Sequence, residues 1–333
     1  MITLEMLKSL TTGAVRIWEE GGCFLFSRFT QAQAEILSRR GFSPRENASA
    51  GMRLEFTTRG GLLAFDYQME PGSGRQYSGI EIAEDGLGMA HIYHSQVPCG
   101  GRVEYLTARQ EREIRVTVYF PNLAQIKIQN LQLPADAAPY IRRGKYLALG
   151  DSITQGYDAA HPNQSYVNLL ADAWDAEILN QAIGGDVFCP ENLDPALSFA
   201  PDVITVAYGT NDWSTQVLQS GAAGAYLDKL TALYPGVPVF VLLPIWREIE
   251  HEVRDGITLQ QGREFLKSWA ENRENVYIVD CHRFVPFLPE YFYDGVLHPN
   301  DMGYLYYARA VEQAVCEALP EGNGKLRFCR FCH

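Results

Sequence analysis

Five short apolar runs in the second half of the chain alternate with longer stretches of helical periodicity. This pattern constrains the fold more than any other feature. The apolar runs occupy residues 146–149, 177–179, 203–208, 239–243 and 276–279. The helical stretches occupy residues 165–175, 224–234, 259–272 and 302–319. Strands that alternate with helices indicate a parallel sheet, because parallel strands need long crossover connections. The pattern predicts a three-layer α/β domain with a flavodoxin-like parallel sheet and helices on both faces.

The first 138 residues have a different pattern, which is typical of a β-rich domain. Short strand-like segments recur between glycine-rich turns, and several alternate apolar with polar residues as half-buried strands do. The clearest segments are residues 22–27, 52–57, 62–67 and 114–120. Residues 30–40 form the one stretch that looks helical. We predict an N-terminal β-sandwich of the jelly-roll kind.

The two patterns meet at residues 133–139, a segment with two prolines, several small residues and no periodicity. Such a composition is typical of a domain boundary. We therefore predict a β-sandwich domain at residues 1–138, an α/β domain at residues 139–320, and a C-terminal tail at residues 321–333.

The net charge and the hydropathy of the chain limit the classes of partner that it is expected to bind. The net charge of −12 argues against nucleic acid, because phosphate binding needs concentrated lysine and arginine. No apolar stretch approaches the length of a membrane helix, so no membrane partner is expected. The first residues lack the basic region and long apolar core of a secretory signal. The expected location is the cytoplasm, and the sequence does not indicate an oligomeric state.

Seven cysteines without framework spacing lead us to expect free, reduced thiols. The last five residues, Cys329-Arg-Phe-Cys332-His333, match the haem-attachment pattern C-x-x-C-H. Haem attachment normally requires export, and the motif follows a glycine-containing stretch at the extreme C-terminus. We therefore interpret it as an ordinary tail, with a metal clip as the lesser alternative.

The first apolar run ends abruptly at Gly150-Asp151-Ser152. A serine at this point lies where open α/β sheets bind their ligands, at the carboxyl end of a parallel strand. Gly150 allows a sharp turn there. Asp and Ser are also common helix N-caps, and an isolated Gly-Asp-Ser is more often a simple cap.

Three further blocks follow strand ends or precede a helix. The glycine pair Gly184-Gly185 offers a backbone N–H with no side chain in its way. Asn211 follows the third run, and its neutral amide is a good donor to a developing oxyanion. His298 precedes the last helix and is a candidate general base for Ser152, whose hydroxyl is a poor nucleophile without one.

With these four blocks in order, the chain resembles the SGNH, or GDSL-type, esterase and lipase superfamily between residues 143 and 319. The resemblance implies that Ser152 is the nucleophile and His298 the base. It also implies an oxyanion hole made by the Ser152 N–H, the Gly185 N–H and the Asn211 side chain. Gly185 is preferred to Gly184 because the family's glycine usually stands directly before the polar residue, here Asp186.

The histidine block departs from the family pattern in one respect. Family members usually carry Asp-x-x-His, whereas this chain has Asp294-Gly-Val-Leu-His298, which is one residue longer. Asp294 remains our candidate for the third catalytic residue, because a triad depends on geometry rather than on sequence spacing. The alternatives are a Ser–His dyad with a backbone carbonyl that orients the ring, or Asp301 as a substitute.

The two-domain layout is similar to that of some carbohydrate acetyl esterases. The resemblance therefore implies a serine esterase that removes short acyl groups, in the first place acetyl, from a carbohydrate or another small-molecule alcohol. The alternatives are a lysophospholipase or thioesterase with longer acyl chains, and a decayed, non-catalytic carbohydrate-binding protein. Trp213 and Trp246 follow strand ends. Either residue is a candidate wall of the substrate pocket, and core packing explains each as well.

Two histidines in the first domain raise the question of a metal. His91 and His94 lie three residues apart in a strand-like segment. Side chains at this spacing point to opposite faces of a strand, which suits a shared ion poorly. We therefore expect no metal and no cofactor.

Overall fold

The chain divides into two units in the computed structural model, which describes residues 2–328. The first unit contains the residues up to Arg142 together with His161–Asn163. The second contains Arg143–Ala160 and the chain from Gln164 onward. The division thus falls after Arg142 rather than after residue 138, and one short segment from the later chain joins the first unit.

The first unit is built from two antiparallel sheets. Its strands are β1 (Thr11–Thr12), β2 (Arg16–Glu20), β3 (Cys23–Ser27), β4 (Arg53–Thr58), β5 (Gly61–Pro71), β6 (Ser78–Glu84), β7 (Leu87–His94), β8 (Cys99–Thr107), β9 (Ile114–Tyr119), β10 (Ala124–Gln132) and β11 (Ala138–Pro139). One sheet has the order β1-β4-β9-β6-β7 with β11 beside β4, and the other has the order β2-β3-β10-β5-β8. All four strand segments that the sequence predicted are present.

One apolar core joins the two sheets of the first unit. It takes Phe56 and Ile82 from the first sheet and Phe65 and Ile126 from the second, all fully buried. Successive side chains of a strand point to opposite faces, so each sheet turns one apolar face toward the other. The unit is therefore a β-sandwich, while its jelly-roll connectivity stays a prediction.

The first unit also contains two helices, α1 (Leu4–Leu10) and α2 (Gln31–Arg39). The helix α2 corresponds to the predicted stretch at residues 30–40, and Thr30 and Gln33 form a reciprocal capping box at its start. The helix α1 was not predicted. It begins at Thr3, whose hydroxyl accepts a hydrogen bond from the Met6 N–H at 3.1 Å. A helix of this length gives too little periodicity to be distinguished from a loop.

The second unit contains a five-stranded sheet in which every neighbouring pair is parallel. Its strands are β12 (Gly144–Gly150), β13 (Ala176–Asn180), β14 (Val203–Ala207), β15 (Val239–Leu242) and β16 (Val276–Val279). The order β13-β12-β14-β15-β16 is the flavodoxin-like order. Each strand coincides with one of the predicted apolar runs, which confirms the predicted α/β architecture.

Six α-helices accompany this sheet within the described residues. They are α3 (Ser152–Gln155), α4 (Tyr166–Ala173), α5 (Thr210–Ser214), α6 (Ala222–Leu233), α7 (Leu259–Ala270) and α8 (Asp301–Ala318). The four long helices were predicted. The one-turn helices α3 and α5 were not, because four or five residues cannot show helical periodicity.

Both faces of the parallel sheet are covered. Tyr146 and Ala148 of β12 pack on one face in a core shared with α4 and α8. The alternate residues Leu147 and Leu149 point to the other face and are buried as well. Continuous burial along a strand is typical of a parallel sheet between two layers of helices.

Part of the predicted tail belongs to this core. Leu326 and Phe328 are each 1% exposed, and the Phe328 ring meets the Trp174 ring edge-on at a centroid distance of 5.2 Å. Burial of two large apolar side chains fixes this segment to the domain, so it is not a loose tail. The C-x-x-C-H motif lies outside the described residues.

The structure also bears on the expected state of the cysteines and on the expected lack of a membrane helix. Cys23, Cys99, Cys189 and Cys281 are free thiols, as expected, whereas Cys316 is disulfide-bonded and corrects the expectation at that position. Within residues 2–328, no helix is both long enough and apolar enough to cross a membrane.

Candidate active site

The candidate residues of the second unit meet at the carboxyl edge of the parallel sheet. Ser152 begins α3 directly after β12, and Asn211 lies in α5 directly after β14. Gly185 follows β13, and His298 precedes α8. Parallel strands bring their carboxyl ends to one edge, so residues far apart in sequence converge there.

The turn at Gly150 explains why a glycine precedes the Asp–Ser pair. A Cβ atom at Gly150 would lie 2.8 Å from the carbonyl oxygen of Ala207 on the neighbouring strand, which is too close. Asp151 then caps α3, because its carboxylate accepts a hydrogen bond from the Ile153 N–H at 3.1 Å. Burial, together with the nearby acidic groups, raises the pKa of Asp151 to about 7. Asp151 is thus a structural part of the turn.

Ser152 and His298 are in hydrogen-bond contact. The Ser152 Oγ lies 2.9 Å from the His298 Nε2. The His298 ring stacks on the Tyr157 ring at a centroid distance of 5.6 Å and an interplanar angle of 29°. Tyr304 of α8 fixes the chain around Tyr157, since its hydroxyl donates to the Tyr157 carbonyl at 2.7 Å. A serine hydroxyl this close to an imidazole nitrogen can transfer its proton on attack.

Asp294 reaches the other nitrogen of the His298 ring despite the longer spacing. Its Oδ2 lies 2.6 Å from the His298 Nδ1. Its Oδ1 accepts hydrogen bonds from the backbone N–H groups of Val296, Leu297 and His298 at 2.8 to 3.0 Å. Gly295, with a φ of +73°, absorbs the additional residue in a tight turn. The backbone thus aims the carboxylate at the imidazole.

Hydrogen bonding determines the charge state of Asp294. Partial burial alone would raise the pKa of its carboxyl group. The hydrogen bonds from His298 and from the backbone of the turn outweigh burial and hold this pKa well below its ordinary value. Asp294 is therefore ionised at neutral pH, as a partner of an imidazolium must be.

A second carboxylate near His298 was missed by the sequence analysis. Asp158 is fully buried, and its Oδ2 lies 3.6 Å from the His298 Nδ1. Its backbone has a φ of +68°, a left-handed conformation that Asp tolerates better than most residues. No sequence spacing connects Asp158 with His298. The alternative candidate Asp301 instead accepts a hydrogen bond from the Ala160 N–H at 2.7 Å.

The two glycines of the second block have different roles in the structure. The Gly184 N–H donates to the Gln155 side-chain oxygen at 2.8 Å. Gly185 adopts a φ of +87°. Within residues 2–328, the backbone N–H groups of Gly185 and Ser152 donate no hydrogen bond to another protein group. A ligand could therefore accept from either donor, and the choice of Gly185 for the oxyanion hole stays a prediction.

Asn211 is oriented by the loop that carries the glycine pair. Its Nδ2 donates one hydrogen bond to the Asp186 carbonyl at 3.1 Å, and a side-chain amide has a second N–H. The next residue, Asp212, caps α5, since its carboxylate accepts a hydrogen bond from the Gly209 N–H at 3.0 Å. Burial raises the pKa of Asp212 to about 6.

The two tryptophans differ in their surroundings. Trp213 is 1% exposed, and the guanidinium carbons of Arg247 and Arg254 lie over its ring at 5.4 and 5.1 Å from the centroid. So little exposed surface gives Trp213 no face to offer a substrate, and we leave it out of the pocket. Trp246 is half-buried and stacks on the Phe287 ring at 5.5 Å. It remains a candidate wall.

A small cavity of about 20 Å³ adjoins these residues. It touches Asp151 and Ile153, which flank Ser152 in sequence, and Leu297, which precedes His298. Its other lining residues are mostly apolar and, apart from Tyr307 of α8, come from the ends of β14 and β15 or from the residues that follow them. A space of this size holds about one water-sized group.

A parallel sheet with a serine, a histidine and a carboxylate at its carboxyl edge defines an α/β protein of the hydrolase class. Residues 148–305 match the model of the GDSL-like lipase/acylhydrolase family. This stretch of the chain therefore matches a GDSL-like lipase/acylhydrolase domain, which confirms the predicted resemblance, and the protein is a carboxylic ester hydrolase.

Several solved structures share the fold over most of the chain. A salicylyl-acyltransferase, SsfX3, from a tetracycline biosynthetic pathway is 18% identical, with a TM-score of 0.79 over 94% of this chain and 95% of its own. A putative GDSL-like lipase from Bacteroides ovatus is 18% identical, with a TM-score of 0.70 over 96% of each chain. A family two carbohydrate esterase from Clostridium thermocellum, solved with cellohexaose, is 15% identical, with a TM-score of 0.61 over 90% of this chain and 99% of its own. A search of curated proteins found no significant match.

Proposed function

We propose that this protein is a serine esterase that removes a small acyl group, in the first place acetyl, from a carbohydrate or a similar alcohol. The observation that carries the proposal is the continuous hydrogen-bond chain from Ser152 through His298 to Asp294, at 2.9 and 2.6 Å. Such a chain is the geometry by which hydrolases activate a serine hydroxyl.

The reaction begins with attack of the Ser152 Oγ on the ester carbonyl carbon, while the His298 Nε2 accepts the hydroxyl proton. The ionised Asp294 stabilises the imidazolium through Nδ1 and keeps the ring in the productive tautomer. Collapse of the tetrahedral intermediate expels the alcohol, which takes the proton from His298. Water, activated by the same imidazole, then cleaves the acyl-enzyme and releases the carboxylic acid.

The oxyanion of both tetrahedral intermediates needs fixed donors. The Ser152 N–H, the Gly185 N–H and the second N–H of the Asn211 amide are the donors that we assign to it. Backbone and amide donors that are already oriented by the fold stabilise the developing charge without reorganisation.

The choice of a small acyl group on a carbohydrate is supported by proteins of similar fold. Proteins of the same fold include the family two carbohydrate esterase named above and an acetyl xylan esterase from Butyrivibrio proteoclasticus, with a TM-score of 0.60 and 15% identity. The substrate class comes from these relatives and is part of the proposal.

Hydrolysis of p-nitrophenyl acetate, butyrate and octanoate by the wild type and by Ser152→Ala tests the proposal. We expect activity that falls with acyl length and is lost in the variant, while the circular dichroism spectrum is unchanged. Acetylated oligosaccharides would follow as substrates. Greatest activity on octanoate would favour the lipase alternative, and activity that survives in Ser152→Ala would contradict the serine mechanism.

Acyl transfer to an alcohol is a second candidate function. A salicylyl-acyltransferase has a similar fold over 94% of this chain, with a TM-score of 0.79. The same acyl-enzyme serves both reactions, and the acceptor decides between them. Adding a sugar alcohol to the acetate assay distinguishes the two. A transferase forms the new ester and releases p-nitrophenol faster, whereas an esterase releases acetate at an unchanged rate.

A further inference from the structure

A cluster of two histidines and one carboxylate lies in the first unit, apart from the residues of the proposed esterase reaction. Glu81 of β6 and His91 of β7 are directly opposite each other in the antiparallel ladder. Directly paired residues project from the same face of a sheet, with Cβ atoms about 5 Å apart. The third member is His161, from the segment His161–Asn163 that belongs to this unit.

The three side chains converge on one point. The His161 Nδ1 lies 2.9 Å from the Glu81 Oε2, and the His161 and His91 rings are 4.1 Å apart between centroids. One nitrogen or oxygen atom from each residue lies within 4.8 Å of the others. The Glu81 side chain is only 6% exposed.

One nitrogen atom of the His91 ring is not satisfied by the surrounding protein groups. Its Nε2 is buried and has no hydrogen-bond partner within the described residues. A buried polar atom without a partner is destabilising and calls for an explanation, which a bound ion would supply. The neighbouring Gly79 leaves the space open, since a Cβ there would lie 2.7 Å from the Nε2.

We propose that Glu81, His91 and His161 bind a divalent transition metal, in the first place Zn²⁺. Two imidazoles and one carboxylate form a three-ligand set that leaves the fourth tetrahedral position for water. Ligand atoms around zinc are about 3.4 Å apart at bond lengths near 2.1 Å, so the three groups need only small side-chain movements. The His161 side chain is 41% exposed, which gives it the freedom to adjust.

The ion would connect the edge of the first sheet with the segment His161–Asn163. The strand β7 is the last strand in its sheet and pairs only with β6 among the described strands. The segment is also held by a hydrogen bond from the Asn122 side chain to the Pro162 carbonyl at 3.2 Å. A metal that binds the folded but not the unfolded unit raises its stability. The proposed role is therefore structural.

His94 offers a matched control. It lies on the same strand, but its Nε2 is 2.7 Å from the Tyr67 hydroxyl and it is not part of the cluster. His91→Gln and His94→Gln are the same chemical change three residues apart. Glu81→Gln is a second test variant that retains the side-chain shape if His91→Gln folds poorly.

The experiment is a titration of the chelator-treated full-length protein with Zn²⁺ by calorimetry, and with Co²⁺ followed by its visible absorption. We expect the wild type and His94→Gln to bind one equivalent in this site, with a rise in the melting temperature. His91→Gln and Glu81→Gln should bind at least about 100-fold more weakly. Tetrahedral cobalt with only nitrogen and oxygen ligands lacks the intense near-ultraviolet band of thiolate ligation, which separates this site from the C-terminal cysteines. Unchanged binding in both cluster variants, or no binding by the wild type, would overturn the proposal.

Discussion

At the scale of single residues, two carboxylates compete for one nitrogen of the His298 ring. Asp294 lies 2.6 Å from the Nδ1 and is aligned by three backbone donors, whereas Asp158 lies at 3.6 Å. A hydrogen bond weakens steeply beyond about 3.2 Å, so we expect Asp294, rather than Asp158, to hold the tautomer of the His298 ring.

Because Asp294 and Asp158 lie at different distances from the His298 Nδ1, replacing each with asparagine should change kcat by a different amount. Asp294→Asn should lower kcat by about 10³–10⁴, because the amide stabilises the wrong tautomer. Asp158→Asn should lower kcat by less than about tenfold, since the principal orienting bond remains. Steady-state kinetics on p-nitrophenyl acetate measure both. A larger loss in Asp158→Asn would reverse the assignment.

Asn211 provides a second test at this scale. Loss of one oxyanion donor costs about 10²–10³ in kcat, and we expect that loss for Asn211→Ala with little change in KM. The Asn211 amide also donates to the Asp186 carbonyl, so the melting temperature should be measured alongside. If the kcat of Asn211→Ala were within a few-fold of the wild-type value, the role of Asn211 would be only the structural hydrogen bond to Asp186.

At the scale of the elements, the cap of α3 makes stability depend on pH. The pKa of Asp151 is about 7, above its ordinary value, so the folded state binds a proton more tightly than the unfolded state. The contribution of Asp151 is therefore favourable below about pH 4 and is lost as the pH rises toward 7. Asn also caps helices but does not titrate.

We accordingly expect Asp151→Asn to be more stable than the wild type at pH 8, by about 2–4 kcal/mol, and similar to it at pH 4. Urea unfolding at the two pH values measures the difference, and the comparison with the wild type cancels the titration of other groups. An equal effect at both pH values would mean that Asp151 is ionised throughout.

A buried ion pair joins strand β4 to the end of the first unit. The Glu55 carboxylate accepts hydrogen bonds from the Arg142 Nη2 at 2.5 Å and Nε at 3.0 Å, and both side chains are 1% exposed. Glu55→Ala should destabilise the protein by about 3–5 kcal/mol, because the Arg142 charge loses its bidentate partner. Glu104→Ala, at an exposed pair with Arg102, is the control and should change little. Equal midpoints in urea for both variants would contradict this account.

The strands and helices also show which parts of the fold can be predicted from the sequence. The five strands of the second unit were predicted because each is a continuous apolar run, which burial on both faces requires. The helices α1, α3 and α5 were missed because each is too short to show a period. The turn at Gly295 is likewise too short to be predicted from the sequence. There the backbone conformation, rather than the sequence spacing, brings Asp294 to His298.

Asp158 and the histidine cluster show a different limit. Asp158 approaches His298 through a left-handed backbone conformation, which a sequence without a glycine or asparagine at that position does not reveal. His91 was judged by its spacing to His94 alone, but its neighbours in space are Glu81, across the ladder, and His161, which is distant in sequence. Such contacts depend on tertiary packing.

At the scale of the whole molecule, the chain combines a β-sandwich unit with an α/β hydrolase unit. The change of periodicity predicted a boundary after residue 138, whereas the two compact units divide after Arg142. It could not assign the segment His161–Asn163 to the first unit, because that assignment rests on contacts rather than on chain order. Nor did polar composition reveal that Leu326 and Phe328 close the core of the second unit.

The central claim for the whole protein is that its esterase activity passes through a covalent intermediate on Ser152. The most direct measurement is reaction of the full-length protein with a fluorophosphonate, followed by mass spectrometry of the peptides and by the residual activity. We expect one equivalent of label on Ser152, loss of activity in step with labelling, and no labelling of Ser152→Ala. Label on another residue, or full activity in protein that is labelled at Ser152, would contradict the account.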